Sequence, residues 1–351
     1  MGIKIKNSHV ILCVFLCVVY FSFSLVAENT PTHYDAFDGR LVGARAISMG
    51  GAFVGIADNA DATFWNPAGL VYIPRNLFSA TFEITRDSKF DVLDIMEGEP
   101  LQGKKLNFIS FAGKQGSFFW RPLANYREET EVEVDGITTK EELELKVNEF
   151  GISVAVPYEE GVSWGANIKY FNGRLGFATE ERVGETRRDA SVNLSDGNGW
   201  GLDWAFMYKV QPALSVGLSL QNAPAYIYWD DYSRDKMPPI FRVGFGMKMT
   251  DLLTFTSDFE QRFYRKARPD GKRRIKIYRL GLEQILMKKI FLRGGIWSED
   301  LDKKDLTTYT LGLGYSQENH YLDLCMKKYI AELGGEEEAV YEYLVSVSLP
   351  F

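Results

Sequence analysis

Three cations stand where a buried anion could be held. Arg242, Lys169 and Arg293 each fall on the polar side of a segment whose other side is apolar. A carboxylate taken out of water needs a paired cation, so such a residue could hold the head of an amphiphile. Asp203, Asp258 and Glu260 occupy equivalent polar positions. Ion pairing with them is the simpler use of the same three cations. Catalytic chemistry finds less to work with. Past residue 27 the histidines are His33 and His320 and the cysteine is Cys325. No His, Cys and carboxylate spacing suggests a zinc site, and no G-x-S-x-G occurs. The expectation is therefore no catalytic residue, no metal, no cofactor and no enzymatic activity. Gly50-Gly51-Ala52-Phe53-Val54-Gly55 is glycine-rich but lacks the G-x-G-x-x-G spacing and a preceding strand, which points to close packing and not to a nucleotide. In Asn66-Pro67-Ala68 the Asn side chain can bond nearby backbone while Pro fixes φ, the chemistry of a turn.

The elements that would position these side chains are strands. From about residue 76 the chain alternates apolar and polar residues with a period of two. Phe78, Ala80, Phe82 and Ile84 alternate with Ser79, Thr81, Glu83 and Thr85. Val162, Trp164, Ala166, Ile168 and Tyr170 alternate with Ser163, Gly165, Asn167 and Lys169, and Phe241, Val243, Phe245 and Met247 with Arg242, Gly244, Gly246 and Lys248. The apolar faces carry no charge. Aromatic residues stand at their ends, as in Trp164 with Tyr170, Trp200 with Tyr208 and Tyr309 with Tyr315. A Lys or Arg facing lipid at the midplane costs ~2–4 kcal/mol, so a charge-free face flanked by aromatics is what a lipid-facing strand requires. In the last segment Tyr341, Tyr343, Val345, Val347, Leu349 and Phe351 share one face and end the sequence on an aromatic residue.

The pattern predicts an all-β fold: a transmembrane antiparallel β-barrel of about 14 strands. The segments run approximately over 76–86, 105–113, 117–127, 143–157, 162–173, 199–209, 213–222, 240–249, 252–261, 274–286, 289–297, 306–316, 319–329 and 340–351. Long connections (87–104, 128–142, 174–198, 223–239, 262–273, 298–305 and 330–339) alternate strictly with short ones such as Lys114-Gln115-Gly116 and Met287-Lys288. Barrels place short turns in the periplasm and long loops outside, so both ends of the barrel fall on the periplasmic side. The basic run from Arg262 to Arg274 then becomes a solvated outer hairpin, within reach of lipopolysaccharide phosphates.

At the amino terminus Lys4 and Lys6 precede an apolar run from Val10 to Val26, and Leu25-Val26-Ala27 is a cleavage site of the small-residue kind. Residues 1–27 read as a signal peptide. Its removal takes two lysines from a net charge of −7, giving −9. An acidic chain argues against nucleic acid as a partner. The mean hydropathy of −0.17 is what a barrel gives, since barrel strands hide their apolar character in alternation. Residues 28–75 do not alternate and are rich in Gly and Ala. A barrel of about fourteen strands has a lumen too wide for its own side chains to fill, and this segment is the right size to plug it.

Gly43-Ala44-Arg45, Met49-Gly50-Gly51-Ala52-Phe53, Ala57-Asp58-Asn59-Ala60-Asp61-Ala62 and Asn66-Pro67-Ala68-Gly69-Leu70 resemble the hatch of FadL-type outer-membrane transporters, including the PorV/PorQ branch. Gly217-Leu218-Ser219-Leu220-Gln221-Asn222 and the terminal Phe351 fit the same pattern. The resemblance implies a hatch over 28–75, a barrel over 76–351, a place in the bacterial outer membrane, and transport of hydrophobic molecules such as long-chain fatty acids. It implies outer-membrane lipid as surroundings and assembly by the barrel assembly machinery through the strand ending at Phe351. In the PorV-like alternative the barrel serves protein secretion, with a secreted protein as partner. The candidate ligand-binding and gating residues are Phe53, Phe64 and Trp65, with Asn66, Pro67 and Ala68 at the hinge and Arg242 on the wall.

Overall fold

The computed structural model describes residues 40–84, 104–134, 137–184, 186–264, 271–300, 303, 306–318, 320–333 and 336–351. The expected signal peptide and residues 28–39 lie outside them, as do nearly all of the 87–104 connection and the centre of the 262–273 connection.

The strands are β1 (Leu77–Ile84), β2 (Lys104–Ala112), β3 (Gly116–Val134), β4 (Ile137–Glu159), β5 (Val162–Val183), β6 (Thr186–Gln211), β7 (Leu214–Gln221), β8 (Ala225–Trp229), β9 (Asp235–Lys236), β10 (Ile240–Lys248), β11 (Leu253–Phe263), β12 (Arg274–Leu286), β13 (Ile290–Ser298), β14 (Thr307–Gln317), β15 (His320–Leu333) and β16 (Glu336–Pro350). Fourteen of them form a closed antiparallel barrel. β7 pairs with β10, and β1 with β16 closes the ring. The short β8 and β9 attach to the upper part of β6. No described helix is long and apolar enough to cross a membrane.

Alternation gives the wall an inverted distribution of polarity. Ile168, Leu311 and Ile152 are 63%, 58% and 57% exposed on the outside, while Lys169, Arg242 and Glu260 are 2%, 1% and 0% exposed on the inside. Cross-strand ring pairs such as Trp164 with Phe206, centroids 4.9 Å apart, and Phe150 with Tyr170, 6.4 Å, edge the apolar belt. The terminal Phe351 meets Phe111 edge to face, centroids 6.2 Å apart, and its N–H donates to the Asn76 carbonyl, which fastens this end of β16 across the closing seam. The short connection at Met287-Lys288 holds both residues at positive φ, 49° and 60°. That is the backbone of a tight turn, closed by Lys289 N donating to the Leu286 carbonyl, here without the usual Asn-Gly.

In the expected loops 128–142 and 174–198 the described residues are instead strand, except Gly184. β3 and β4 stay in register to Val134 and Ile137, and β5 and β6 to Val183 and Thr186. Together they raise a four-stranded blade beyond the apolar belt. Both faces of this blade meet water, so hydrophobic alternation vanishes there while antiparallel pairing continues. Cross-strand charge takes over: Arg127 pairs with Glu142 at 2.9 Å, Lys140 with Glu129 at 3.0 Å, and Arg174 with Asp196 at 2.7 Å. The Lys140 ammonium holds the Glu129 carboxyl below its usual range. The expected loop 223–239 contains β8 and β9, and the expected loop 330–339 is mostly occupied by the ends of β15 and β16.

Inside the barrel lies the segment from residue 40 to Asn76. It carries two short helices, α1 (Ala44–Ser48) and α2 (Ala62–Trp65), and a 3-10 turn over Pro67–Tyr72. Alanine and glycine let its backbone approach the wall, and the wall answers with glycines of its own. A side chain on Gly217 of β7 would run into the Val54 carbonyl, one on Gly165 of β5 into Pro67 and Ala68, and one on Gly295 of β13 into Gly50. Gly217→Val is expected to unseat the segment at Val54 and cost ~1–3 kcal/mol as overpacking does. The check is a lower urea midpoint for the folded, heat-modifiable barrel than in Leu218→Val on the lipid face of the same strand.

Candidate functional site

The inner segment has little regular structure, so its backbone groups need partners other than itself. Buried N–H and C=O groups left unpaired would each cost a lost hydrogen bond. The polar wall supplies them. Asp258 Oδ2 on β11 accepts from both Phe53 N and Val54 N at 2.8 Å. Asn167 on β5 donates to the Thr63 carbonyl at 2.8 Å, Ser163 to the Ala68 carbonyl at 2.8 Å, and Gln221 on β7 to the Phe64 carbonyl. On the opposite wall Thr310 donates to the Ser48 carbonyl at 3.0 Å and Ser346 accepts from Ala44 N at 2.8 Å. The Gly50 amide donates to Thr310 Oγ1 and to the Ile47 carbonyl, and the Gly51 amide to the Ala46 carbonyl. The glycine-rich stretch therefore spends the Gly50 and Gly51 amides on the segment and the wall, and those of Phe53 and Val54 on the Asp258 carboxylate.

Asn66 is fully engaged. Its Nδ2 donates to the Val54 carbonyl at 2.9 Å and to the Phe206 carbonyl of β6 at 3.1 Å, and its Oδ1 accepts from Ala68 N at 3.1 Å. Pro67 follows as the first residue of the 3-10 turn, where its missing N–H is not needed. Asn66 thus joins two stretches of the segment to each other and to the wall. Trp65 sits at the centre, in edge contact with Phe64 (centroids 5.2 Å) and Phe53 (6.5 Å), and its Nε1 donates to the Val42 carbonyl. Phe53, Phe64, Trp65, Asn66, Pro67 and Ala68 are all buried together.

Cations surround these rings. Arg121 of β3 lies 4.7 Å from the Phe64 centroid, Arg242 of β10 5.5 Å from Phe64 and 5.3 Å from Trp65, and Arg279 of β12 5.9 Å from Trp65. Desolvated cation–π contacts reach ~2 kcal/mol each. Glu260 on β11 anchors three arginines: Arg242 at 2.6 Å, Arg262 at 2.6 Å and Arg279 at 3.1 Å. Lys169 pairs with Asp203 at 2.7 Å, and Arg293 with Glu283 at 2.7 Å and Asp323 at 2.6 Å. All three cations singled out in the sequence are therefore ion-paired within the lumen. Arg121 Nε and Arg242 Nη1 nevertheless stay buried without a hydrogen-bond partner.

A cavity of about 470 Å³ opens at the short-turn end, between the inner segment and the wall, and is lined by Arg45, Asp58, Lys209, Lys248, Glu283 and Arg293 among others. None of the seven candidate ligand residues lines it. The wall itself parts on another side. β2 and β3 pair only from Ile109 to Ala112 against Ser117 to Trp120. Above that, β2 stays on β1 and β3 on β4. Pro122, which has no N–H to give, stands at the parting, and a bulge follows between Pro122 and Ala124. Phe108 and Phe119 beside the parting belong to the same apolar cluster as Phe64 and Trp65.

Solved structures of this shape exist. The toluene transporter TbuX of Ralstonia pickettii superposes with a TM-score of 0.60 at 14% identity, over 90% of this chain and 100% of that one. The toluene transporter TodX of Pseudomonas putida gives 0.60 at 13% identity, over 89% and 98%. A FadL homologue of Pseudomonas aeruginosa gives 0.56 at 12% identity, over 92% and 99%. The fold is that of the FadL-type transporters. No protein-family model matches the sequence, and no curated protein does so.

Within this FadL-type fold several residues escaped the sequence reading: Asp258 as the acceptor for two amides, Glu260 as a shared counter-ion, Arg121 against Phe64, and the parting at Pro122. Only the last carried a local signal, a proline inside the expected strand 117–127. Glu260→Gln leaves three arginines without their common anion. It is expected to cost ~3–5 kcal/mol, as breaking a buried ion pair does, read as a fall in the urea midpoint. Arg242→Met combined with Glu260→Met should lose less than the two single changes added together.

Proposed function

We propose that the protein is a bacterial outer-membrane barrel that carries hydrophobic small molecules inward, and that it is a conduit with no catalytic step. The observation that carries this reading is the parting of β2 from β3 beside Phe108, which faces the apolar cluster around Phe64 and Trp65. A molecule dissolved in the outer leaflet could enter sideways there without crossing the polar mouth. The inner segment must then shift, because aromatic packing fills the space around Trp65 and the free volume lies at the periplasmic end. Asn66, which couples Val54, Ala68 and β6, is the joint through which that shift would pass.

Long-chain fatty acids suit the site better than plain hydrocarbons. Arg121 and Arg242 flank Phe64, and each keeps one buried nitrogen, Nε of Arg121 and Nη1 of Arg242, without a partner. A carboxylate could take both, whereas toluene could take neither. The secretion reading is favoured by a different feature, the four-stranded blade, which would give an exported protein a rigid platform above the membrane.

The test is uptake of labelled oleate by cells without their own transporter, using the pair Leu106→Cys with Leu123→Cys, which continues the β2–β3 register. Oxidation is expected to abolish uptake and reductant to restore it. Unchanged uptake by the cross-linked protein contradicts the sideways route. Normal uptake without this protein, together with loss of surface-attached proteins when it is deleted, favours the secretion reading.

A further inference from the structure

The outer face of β12 changes character abruptly. Leu282, Leu280 and Tyr278 are 47%, 40% and 44% exposed and belong to the apolar belt. They alternate with the buried Gly281, Arg279 and Ile277, which face the lumen. Continuing two residues at a time along the exposed face places Lys276 and Arg274 in one file above Tyr278, with Lys272 just beyond the end of the strand. The facing residues of β11 are Phe259 beside Tyr278, Gln261 beside Lys276 and Phe263 beside Arg274, and none of them is acidic. Arg274 lies over the Phe263 ring, 6.0 Å from its centroid. Neither Arg274 nor Lys276 makes an ion pair among the described residues.

This differs from the blade on the other side of the barrel. There the outward cations above the belt are neutralised locally: Arg127 by Glu129 and Glu142, Lys146 by Glu144, Arg174 by Asp196 and Arg182 by Glu180. In the file on β12, Arg274 and Lys276 have no such partner among the described residues.

Its height says which anion. Tyr278 marks the edge of the hydrocarbon layer, as girdle aromatics do. Lys276 lies two residues higher, ~7 Å along the strand and roughly 5 Å along the membrane normal once the strand is tilted. The polar layer on each side of the hydrocarbon is about 5–7 Å thick. Lys276 therefore stands at headgroup depth, and Arg274, roughly 10 Å above Tyr278 by the same measure, stands just above that layer with its guanidinium over the Phe263 ring.

We propose that the β11–β12 face is a binding site for the phosphate groups of a phosphorylated lipid of the outer leaflet. Lys276 and Arg274 contact the phosphates, Lys272 extends the field above them, and Leu280 and Leu282 receive the acyl chains. The proposal rests on the membrane orientation argued above and not on what the barrel carries, so failure of the uptake experiment leaves it standing.

The experiment is native mass spectrometry of the full-length protein in neutral detergent with bis-phosphorylated lipid A, with the same lipid stripped of phosphate, and with inorganic pyrophosphate as competitor. The native protein should retain the phosphorylated lipid. The variant Lys272→Gln/Arg274→Gln/Lys276→Gln, with its fold checked by heat-modifiable gel mobility, should retain it roughly tenfold less at low salt. Lys276→Gln alone gives an intermediate loss and serves if the triple variant fails to fold. Arg174→Gln, on the blade side, should retain as much as the native protein. Equal retention by native and triple variant, equal retention of the dephosphorylated lipid, or displacement by pyrophosphate at the lipid's own concentration would each overturn the assignment, the last by moving the site from a lipid headgroup to free phosphate.

Discussion

The constraint that governs this molecule is that an irregular stretch of backbone lies inside a barrel, away from water, and every polar group in it must still find a partner. A soluble protein would solve this with helix or sheet. Here the wall solves it. Ser163, Asn167, Gln221, Asp258, Thr310 and Ser346 come from five different strands, and each spends its side chain on a peptide group of the inner segment. The polar inner face of the barrel is thus a complement to one particular conformation of one particular segment, and not simply a wet lining.

That conformation is held at its centre by charge. Trp65 and Phe64 are enclosed by Arg121, Arg242 and Arg279, and the arginines in turn depend on Glu149 and Glu260. Burying so many charges is expensive unless they are paired. The pairing fixes side chains on β3, β4, β10, β11 and β12 to one another and, through the rings, to the inner segment. Stability of the wall and seating of the segment are therefore one problem. The parting at Pro122 is where the wall gives up a few hydrogen bonds in this otherwise closed system, and it lies beside the same rings.

How much of this could be read from residues alone depends on which physical pattern each part follows. The belt-spanning strands were legible because lipid on one side and a polar lumen on the other impose strict alternation, as in Phe241 to Lys248. The blade was not legible, because Glu129 to Val134 has water on both faces and only cross-strand pairing to define it. The ion pairs of Lys169 with Asp203 and Arg242 with Glu260 were accessible as a list of partners, since both members fall on polar positions. The sharing of Glu260 among three strands was not, because it depends on stagger between strands and not on sequence spacing. The glycines opposite the inner segment, Gly165, Gly217 and Gly295, are visible on the polar faces, but nothing local says that another backbone lies against them.

Electrical conductance in a planar bilayer tests the filled lumen most directly. A barrel of fourteen strands with an empty centre would pass a steady ionic current. With the segment from residue 40 to Asn76 seated against the wall, the native protein should pass none, and Asp258→Ala, which strips the acceptor from Phe53 and Val54, should produce intermittent openings. A constant, large conductance from the native protein would contradict the account.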